Sequence, residues 1–312
     1  MGKQIVTVLG STGAQGGGVV RALLNQQDWQ VRAVTRNPRS LAALRLAELG
    51  CEIAEADLNI PATLTEALQG SYGLFAVTNF WDRATRMGEF EQGRNLVHAA
   101  RETDIQHFIW STLPDYYALS RGKYTVPHFT SKARVDHEVI AAGFRHHTFV
   151  EAPFYFQNFL TIHAPKKAHK GHKGHKGHKG HTVWRYPADK DACRFPCGDV
   201  KELGSIVAAA LNRPEDVGHG QYLALASDYL CWQELVDILN TQGHKLDYEQ
   251  VTAEEYDRFF PSAKEFRHMM AFWEENHYFG PEGAHKIALA SALIDNRMTR
   301  FTDWASKYMP PV

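Results

Sequence analysis

The chain has 312 residues, enough for one large α/β domain or for a domain of about 200 residues with a smaller partner domain. Hydrophobic residues make up 44% and charged residues 22%, which indicates a packed protein rather than a disordered one. The 34 basic and 35 acidic residues almost balance, so nucleic acid is not expected as a partner. No apolar stretch is long enough for a membrane span and no signal peptide is recognised, so we expect a cytoplasmic protein, or a nuclear one if it is regulatory.

The first half of the chain alternates strand and helix patterns. The predicted strands are 5–9, 30–34, 51–56, 73–77, 107–110 and 147–151. The predicted helices between them are 17–24, 40–49, 61–68, 89–102 and 131–142. Short apolar runs joined by helices predict a parallel sheet covered on both faces, which is a doubly wound α/β domain of the Rossmann type over residues 1–153.

The second half is less regular, with helix patterns at 199–212, 232–242, 253–259, 266–277 and 301–308. We expect segment 195–225 to return to the first domain, while 154–194 and 226–312 form a smaller α+β lobe for a substrate or partner. A strict repeat of His, Lys and Gly at 169–181 is interpreted as a surface loop, because it has no apolar face to bury. Cys193 and Cys197 lie beside it, but two cysteines do not make a zinc site, so no metal is predicted.

A glycine-rich turn follows the first strand in the sequence VLGSTGAQGGGVV. Gly10 permits a tight turn, Gly13 lets backbone amides approach a pyrophosphate, and Gly16 lets the next helix pack against the strand. The helix N-terminus then offers unpaired N–H groups and a positive dipole end to an anion. Because this turn joins a strand to a helix, it predicts a dinucleotide site.

The end of the second strand indicates which dinucleotide is bound. NAD sites usually carry an acidic residue there, but this sequence has Thr35 and Arg36, and Arg36 can donate to a 2′-phosphate. NADP(H) is therefore the predicted coenzyme. Asp57, after the third strand, would either accept a bond from the adenine amino group or cap the next helix.

Several motifs in this order resemble the NmrA-like family, whose members are atypical short-chain dehydrogenases/reductases. They are GSTGAQG, VRAVTRNP, EADL, GLFAVTNFW, HFIWSTL, VPHFTSK, PFYFQNFL and FPCGDVKELG. The resemblance covers nearly the whole chain except the repeat. It implies a Rossmann domain with a smaller C-terminal lobe and NADP(H) or NAD(H) in the cleft between them. Similar proteins are described as redox sensors that signal to a protein partner, while related atypical reductases transfer hydride.

Most short-chain dehydrogenases use a Tyr-x-x-x-Lys motif with an upstream Ser, in which the Lys lowers the pKa of the Tyr. Here Lys132 stands at the Lys position, but His128 stands at the Tyr position, and Ser111 or Thr112 would supply the hydroxyl. Lys132 is predicted to bind the nicotinamide ribose. His128 would be a replacement acid or base, a cofactor or substrate contact, or a structural residue.

An aromatic segment that includes Phe154, Tyr155, Phe156 and Phe159 would either roof the nicotinamide or pack between the lobes. The catalytic candidates are Lys132 and His128. The residues predicted to contact the coenzyme are Gly10, Ser11, Thr12, Gly13, Ala14, Gln15, Gly16, Arg36, Asp57, Leu58, Thr78, Asn79, Phe80, Lys132 and Phe154.

Two functions follow from these features. The first is an NADP(H)-binding redox sensor or regulator with little dehydrogenase activity of the usual kind, because the Tyr is missing at position 128. The second is an NADPH-dependent reductase that acts on a quinone, an enone or a phenolic metabolite and takes its proton from Lys132 or His128. A regulatory protein partner belongs to the first function and a small aromatic substrate to the second. A homodimer is compatible with both.

Overall fold

The computed structural model describes residues 2–82, 86–167, 181–294 and 297–311, so the predicted repeat loop at 169–181 lies outside the described residues except for His181. The strands are β1 Ile5–Val8, β2 Gln30–Thr35, β3 Glu52–Glu55, β4 Ser71–Ala76, β5 His107–Thr112, β6 His146–Glu151, β7 Phe154–Tyr155, β8 Lys166–Lys167, β9 Thr182–Tyr186, β10 Arg194–Gly198, β11 His219–Ala224, β12 Asp228–Cys231 and β13 Leu246–Gln250. The helices are α1 Ala14–Gln26, α2 Leu41–Glu48, α3 Pro61–Leu68, α4 Arg86–Glu102, α5 Tyr116–Leu119, α6 Pro127–Ala142, α7 Leu203–Asn212, α8 Pro214–Val217, α9 Trp232–Thr241, α10 Ala253–Tyr256, α11 Ala263–Glu275, α12 Gly283–Leu293 and α13 Phe301–Tyr308.

The main sheet has the strand order β11-β6-β5-β4-β1-β2-β3, and every pairing in it is parallel. Helices α1, α7 and α12 bury apolar side chains on one face, and α3, α4 and α6 cover the other. The predicted doubly wound α/β fold class is confirmed. Chain order reverses between β1 and β4, and ligands bind such sheets outside the carboxyl ends of the strands at this point.

Helix α1 packs against α7 with almost no space between their backbones. A Cβ atom on Gly18 would lie 2.6 Å from the Lys201 carbonyl oxygen, and one on Gly204 would lie 2.2 Å from the Gly18 oxygen. This contact brings α7, from the second half of the chain, onto the first domain. Strand β11 then extends the main sheet beside β6, whereas β10 belongs to a separate sheet with β7 and β12.

The second lobe combines two small sheets, of order β12-β10-β7 and β13-β9-β8, with helices α9, α10, α11 and α13. Its core is aromatic and includes Trp184, Trp232 and Trp304, all almost fully buried. Residues of the segment between β5 and α6 also lie in this core. Tyr116 stacks on Phe272 with ring centroids 3.7 Å apart. This stack joins the two lobes.

The structure corrects several predicted helix starts and adds helix α12. Helices α1, α4 and α11 begin at Ala14, Arg86 and Ala263 rather than at 17, 89 and 266. Helix α6 begins at Pro127 rather than at 131, because proline is well suited to the first turn of a helix. His128 and Lys132 therefore lie on one helix, four residues apart and on the same face. Helix α12 was not predicted, since its apolar residues show little periodicity.

Asp136 is a buried carboxyl group on α6. One of its oxygens accepts a hydrogen bond from the Tyr222 hydroxyl at 3.0 Å, and the other has no partner within the described part of the chain. Burial raises the pKa of Asp136 to about 8, an effect that nearby Glu151 reinforces and that hydrogen bonds from Thr112 and Tyr222 and the charge of Lys286 oppose. The protonated form therefore stabilises the fold.

We expect the Asp136→Asn variant to lose part of the pH dependence of stability. Because the folded pKa lies above the unfolded one, the stabilisation is present at low pH and is lost as the pH rises through about 8, with a slope of at most about 1.4 kcal/mol per pH unit. Thermal melts of the wild type at pH 6 and pH 9 should therefore differ more than those of the variant. The exposed Asp28→Asn variant serves as control, and equal slopes in all three proteins would contradict this role for Asp136.

Replacing Gly18 by Ala should destabilise the protein by about 1–3 kcal/mol, because the new methyl group would meet the backbone of Lys201. Urea denaturation measures the change. The matched control is Gly17→Ala in the same helix, whose Cβ would lie 3.3 Å from its nearest neighbour, the Ser11 oxygen. In the Gly17→Ala variant, the higher helix propensity of Ala offsets the energetic cost of this close contact. Equal unfolding free energies for the two variants would show that the helix contact is not tight.

Candidate functional site

The turn after β1 has the backbone shape that a dinucleotide phosphate needs. Gly10 has a φ of +61°, which favours glycine, and the Gly13 amide donates to the Gly10 carbonyl at 2.8 Å. A Cβ on Gly16 would lie only 2.3 Å from the same carbonyl oxygen. Glycine is therefore required at Gly10 and Gly16 for α1 to start this close to the strand.

The N-terminus of α1 has backbone N–H groups that no side chain caps. Gly13 is its N-cap residue, so no side chain caps the first turn, and no acidic residue lies in that turn. Such a helix end attracts an anion through its N–H groups and its dipole. The turn thus fits a pyrophosphate, held by the backbone of residues 10–16. The Ser11 hydroxyl donates instead to the Val34 carbonyl of β2, so only the backbone of Ser11 is available for this role.

Arg36 follows β2 at the edge of the cleft. Its side chain is 66% exposed and lies 3.2 Å from the carboxylate of Asp82, which follows β4. The guanidinium is therefore accessible, and it would interact with both the Asp82 carboxylate and a 2′-phosphate. Thr12 and Ala14, also predicted coenzyme contacts, are exposed on the same side of the sheet.

Asp57 and Leu58 follow β3. An Asp57 oxygen accepts the Asn59 backbone amide at 2.9 Å, which forms a turn ahead of α3. The N-cap residue of α3 is Ile60, so Asp57 does not cap this helix, and the adenine role stays a prediction. The Leu58 side chain packs against the core beside β3, and its carbonyl accepts a hydrogen bond from Asn95.

Lys132 belongs to a buried polar network. Its ammonium group donates to the Thr78 carbonyl at 2.9 Å and to the Thr78 hydroxyl at 3.0 Å, and lies 2.9 Å from Glu89. The other Glu89 oxygen accepts the Ser131 hydroxyl. Burial would raise the pKa of Glu89, but the Lys132 charge and three hydrogen bonds outweigh it and hold that pKa below its usual value. The network fixes the lysine beside the end of β4.

Position 128 is the first-turn histidine of α6, and it is paired with a carboxylate from the second lobe. Both its backbone amide and its ring Nδ1 bond to Glu265 of α11, and both side chains are nearly buried, at 12% and 13% exposure. A carboxylate on Nδ1 leaves Nε2 as the ring nitrogen free to contact a ligand. Sequence analysis did not single out Glu265.

Aromatic rings enclose His128. Phe266 of α11 stacks on it at 5.8 Å between centroids, and Trp81, which follows β4, lies at 5.2 Å. Trp81 also stacks on Phe266 at 5.8 Å and is 47% exposed, so these rings form an open aromatic surface. Phe80, a predicted coenzyme contact, is buried at the base of this enclosure. Asn79 is exposed and its side chain accepts the Trp81 amide.

A second polar chain links three elements in the cleft. The Ser111 hydroxyl at the end of β5 donates to the Gln15 carbonyl oxygen at 2.7 Å. The Gln15 amide nitrogen donates to the Tyr155 hydroxyl at 2.7 Å. Ser111 is one of the two residues, with Thr112, predicted to supply a hydroxyl, and its indirect partner is a tyrosine from β7.

The phenylalanines around Tyr155 have a packing role. Phe154 is buried among second-lobe rings, including Phe195 at 5.1 Å and Trp273 at 6.0 Å. Phe156 and Phe159 lie in the same core. This placement favours packing rather than coenzyme contact for Phe154, because strand alternation turns neighbouring side chains to opposite sides and gives the cleft to Tyr155.

The structure thus brings Gly10, Gly13, Gly16, Thr78 and Lys132 to one edge of the sheet. Sequence reasoning missed the partners Glu89 and Glu265, since a pairing between distant helices leaves no local pattern. Cys193 and Cys197 are buried, and burial raises the pKa of both thiols. Within the described residues no group of His, Cys, Asp and Glu is arranged to hold a metal ion, and no helix is long and apolar enough to cross a membrane.

Comparisons with solved structures show the same fold. A structure of NmrA, described as a negative transcriptional regulator, in complex with NADP has a TM-score of 0.79 at 21% identity, covering 99% of this chain and 96% of that one. Triphenylmethane reductase from Citrobacter sp., complexed with NADP(H), has a TM-score of 0.73 at 18% identity, covering 98% and 100%. The NADPH-dependent quinone oxidoreductase QOR2 from Escherichia coli has a TM-score of 0.73 at 19% identity, covering 97% and 99%.

Sequence comparisons identify the family. The family model described as NmrA-like matches residues 2–309. The NmrA-like family domain-containing oxidoreductase hkm9 of Aspergillus hancockii is 30% identical over 329 residues, which cover 98% of this chain and 97% of that protein. An NmrA-like family domain-containing protein of Dictyostelium discoideum is 27% identical, with 97% of each chain covered. The glycine turn, the two-lobed fold and these matches together show that the chain belongs to the NmrA-like family.

Proposed function

We propose that this protein is an NADPH-dependent reductase that acts on a planar, conjugated acceptor: a quinone, an enone or a phenolic metabolite. The observation that carries this proposal is the aromatic enclosure of Trp81, Phe266 and the Glu265-paired His128 beside the coenzyme cleft. Flat rings bind flat, apolar ligands well, and a nearby polar group orients them. Relatives named as oxidoreductases support the same class of reaction.

The coenzyme role rests on the glycine turn and its surroundings. The backbone of residues 10–16 would hold the pyrophosphate, and Arg36 the 2′-phosphate. When bound, the nicotinamide supplies a hydride. Lys132 is the residue predicted to lie beside the nicotinamide ribose, and binding there would require one of its N–H groups to exchange a partner in the Thr78–Glu89 network for a ribose hydroxyl. NmrA, triphenylmethane reductase and QOR2 have all been solved with NADP, NADP(H) or NADPH bound, which supports NADP(H) here.

The enclosure also gives His128 a role. Glu265 holds its Nδ1, so its Nε2 would contact the substrate, and the ring would form one wall of the site. Lys132 is a weaker candidate for proton transfer to substrate, because all three of its N–H groups have partners in the Thr78–Glu89 network. The catalytic roles of both residues stay predictions.

A second candidate is a redox sensor whose coenzyme state changes its contact with a regulatory protein. The histidine at position 128, in place of the usual tyrosine, favours it, as does the occupied hydrogen-bonding capacity of Lys132. The likeness to NmrA, a transcriptional regulator, supports it too. Incubation with NADPH and a panel of quinones and aromatic carbonyls separates the two functions, because a sensor binds NADPH tightly without oxidising it. Loss of absorbance at 340 nm supports the reductase.

We expect Trp81→Ala to raise the KM for an aromatic substrate about 10-fold, because the substrate loses a stacking surface. The Kd for NADPH, measured by fluorescence, should stay within about two-fold. Tyr308→Ala, at another partly exposed aromatic residue on α13, is the matched control and should leave KM unchanged. Equal KM values in all three proteins would show that the enclosure does not bind the substrate.

Arg36→Ala should weaken NADPH binding about 10- to 100-fold, because a charge-assisted contact to the 2′-phosphate is lost. The affinity for NADH, which lacks this phosphate, should change less than two-fold. Arg45→Ala on α2 controls for the general loss of a positive charge. Isothermal titration with both coenzymes measures the effect, and equal losses for NADPH and NADH would exclude recognition of the 2′-phosphate by Arg36.

A further inference from the structure

The three side chains Ser111, Gln15 and Tyr155 come from separate elements that meet at the carboxyl edge of the main sheet. Ser111 is the last residue but one of β5, Gln15 lies in the first turn of α1, and Tyr155 belongs to β7, just after β6. Coenzyme and substrate meet at this edge in doubly wound sheets. The chain of hydrogen bonds therefore lies where a proton would be needed.

The direction of the hydrogen bonds follows from the orientation of the Gln15 amide, whose oxygen faces Ser111 and whose nitrogen faces Tyr155. The Ser111 hydroxyl donates to the Gln15 carbonyl oxygen, which orients the amide so that its NH₂ group faces Tyr155. The Tyr155 oxygen is then an acceptor, and its own hydrogen has no acceptor among the bonds found in the described residues. Tyr155 as a whole residue is only partly buried. Its O–H therefore keeps an unused hydrogen for a ligand that reaches it.

The other candidates are less free. The imidazole of His128 is held by Glu265, and the described residues provide no hydrogen bond from it to Ser111 or Gln15. Lys132 uses its N–H groups within the buried network. Tyr155 is the group that is both joined to Ser111 through Gln15 and left with an unused proton.

We propose that Tyr155 is the catalytic proton donor of this protein, and that Gln15 and Ser111 are positioning residues that aim its hydroxyl. This inference rests on the proposed reductase function and applies to a carbonyl or quinone substrate. A tyrosine from β7 would then donate the proton that most short-chain dehydrogenases take from a tyrosine at the position of His128 on α6. The substrate class is a compound whose oxygen must be protonated as the ring or carbonyl is reduced.

The step balances with NADPH as reductant. The substrate carbon gains a hydride, its oxygen gains the Tyr155 hydrogen as the phenolic O–H bond breaks, and the electron pair stays on the phenolate. Reduced substrate and NADP⁺ are the products. The Gln15 N–H stabilises the phenolate, and a proton from solvent restores the phenol after the product leaves. Burial raises the pKa of Tyr155, whereas the hydrogen bond from Gln15 lowers it.

The first test compares Tyr155→Phe with His128→Gln in the full-length protein. Tyr155→Phe should lower kcat at least about 100-fold, the usual contribution of a positioned acid, with the NADPH Kd within about two-fold. His128→Gln should raise KM and change kcat less than about three-fold. The fall in kcat/KM of the wild type at alkaline pH should also disappear in Tyr155→Phe. Circular dichroism confirms that both variants fold.

The second test reads the phenol without turnover. Tyrosine labelled with ¹³C at Cζ reports ionisation by NMR, and Tyr155→Phe assigns the resonance in coenzyme-free protein. Gln15→Leu should raise the titration midpoint of that resonance, since the phenolate loses a donor. Ser71→Ala, at a buried hydroxyl away from the cleft, should not move it. An unmoved midpoint in Gln15→Leu would overturn the positioning role.

The outcomes separate this inference from the proposed function. If the wild type reduces substrate and Tyr155→Phe does so equally well, Tyr155 is not the donor, while the reductase function stands. If His128→Gln loses kcat instead, the proton comes from the imidazole and the inference fails. If the wild type binds NADPH but reduces none of the quinones and carbonyls, both the reductase function and the role of Tyr155 are overturned.

Discussion

The stack of Tyr116 on Phe272 is the contact on which the cleft depends. The Tyr116 hydroxyl donates to the Tyr278 carbonyl at 2.7 Å and accepts a hydrogen bond from the Trp273 indole N–H at 3.0 Å. The stack therefore holds the face of the ring, and the two hydrogen bonds hold its hydroxyl end. This residue belongs to the first half of the chain, yet its partners lie on and after α11. It therefore fixes α11 against the start of α6. The Glu265–His128 pair and the aromatic enclosure exist because these two helices are held together.

The coenzyme side of the cleft depends on backbone contacts rather than on side chains. Glycines let α1 lie against the turn after β1, at Gly16, and against the residues around the start of α7, at Gly18. A helix held from both sides has a fixed axis, so its N-terminus points to one place. The polar groups that matter chemically then surround this place, with Lys132 on one side and the Gln15 amide on the other. The backbone of the glycine turn thus serves to bind the phosphate, whereas side chains from other elements supply the reactive groups.

Local patterns were sufficient to predict six of the seven strands of the main sheet and the glycine turn, because apolar runs and turn residues are properties of neighbouring positions. Strand β11 was missed, and Lys132 was singled out by the family resemblance. Local patterns could not reveal Glu89 or Glu265, since each acts through a partner more than forty residues away in sequence. The aromatic segment shows the same limit. Its composition predicted packing or coenzyme contact for Phe154 and Tyr155 alike, and only the alternation of β7 separates one buried ring from one cleft hydroxyl. The start of α6 was misplaced because Pro127 interrupts the apolar pattern.

The position of Gln15 has a kinetic consequence. Its amide lies in the first turn of the helix that receives the pyrophosphate, and the same amide holds the Tyr155 hydroxyl. Entry of the dinucleotide and alignment of the phenol thus involve one side chain. A change at Gln15 would therefore alter the dissociation constant of the coenzyme and the rate of proton transfer together.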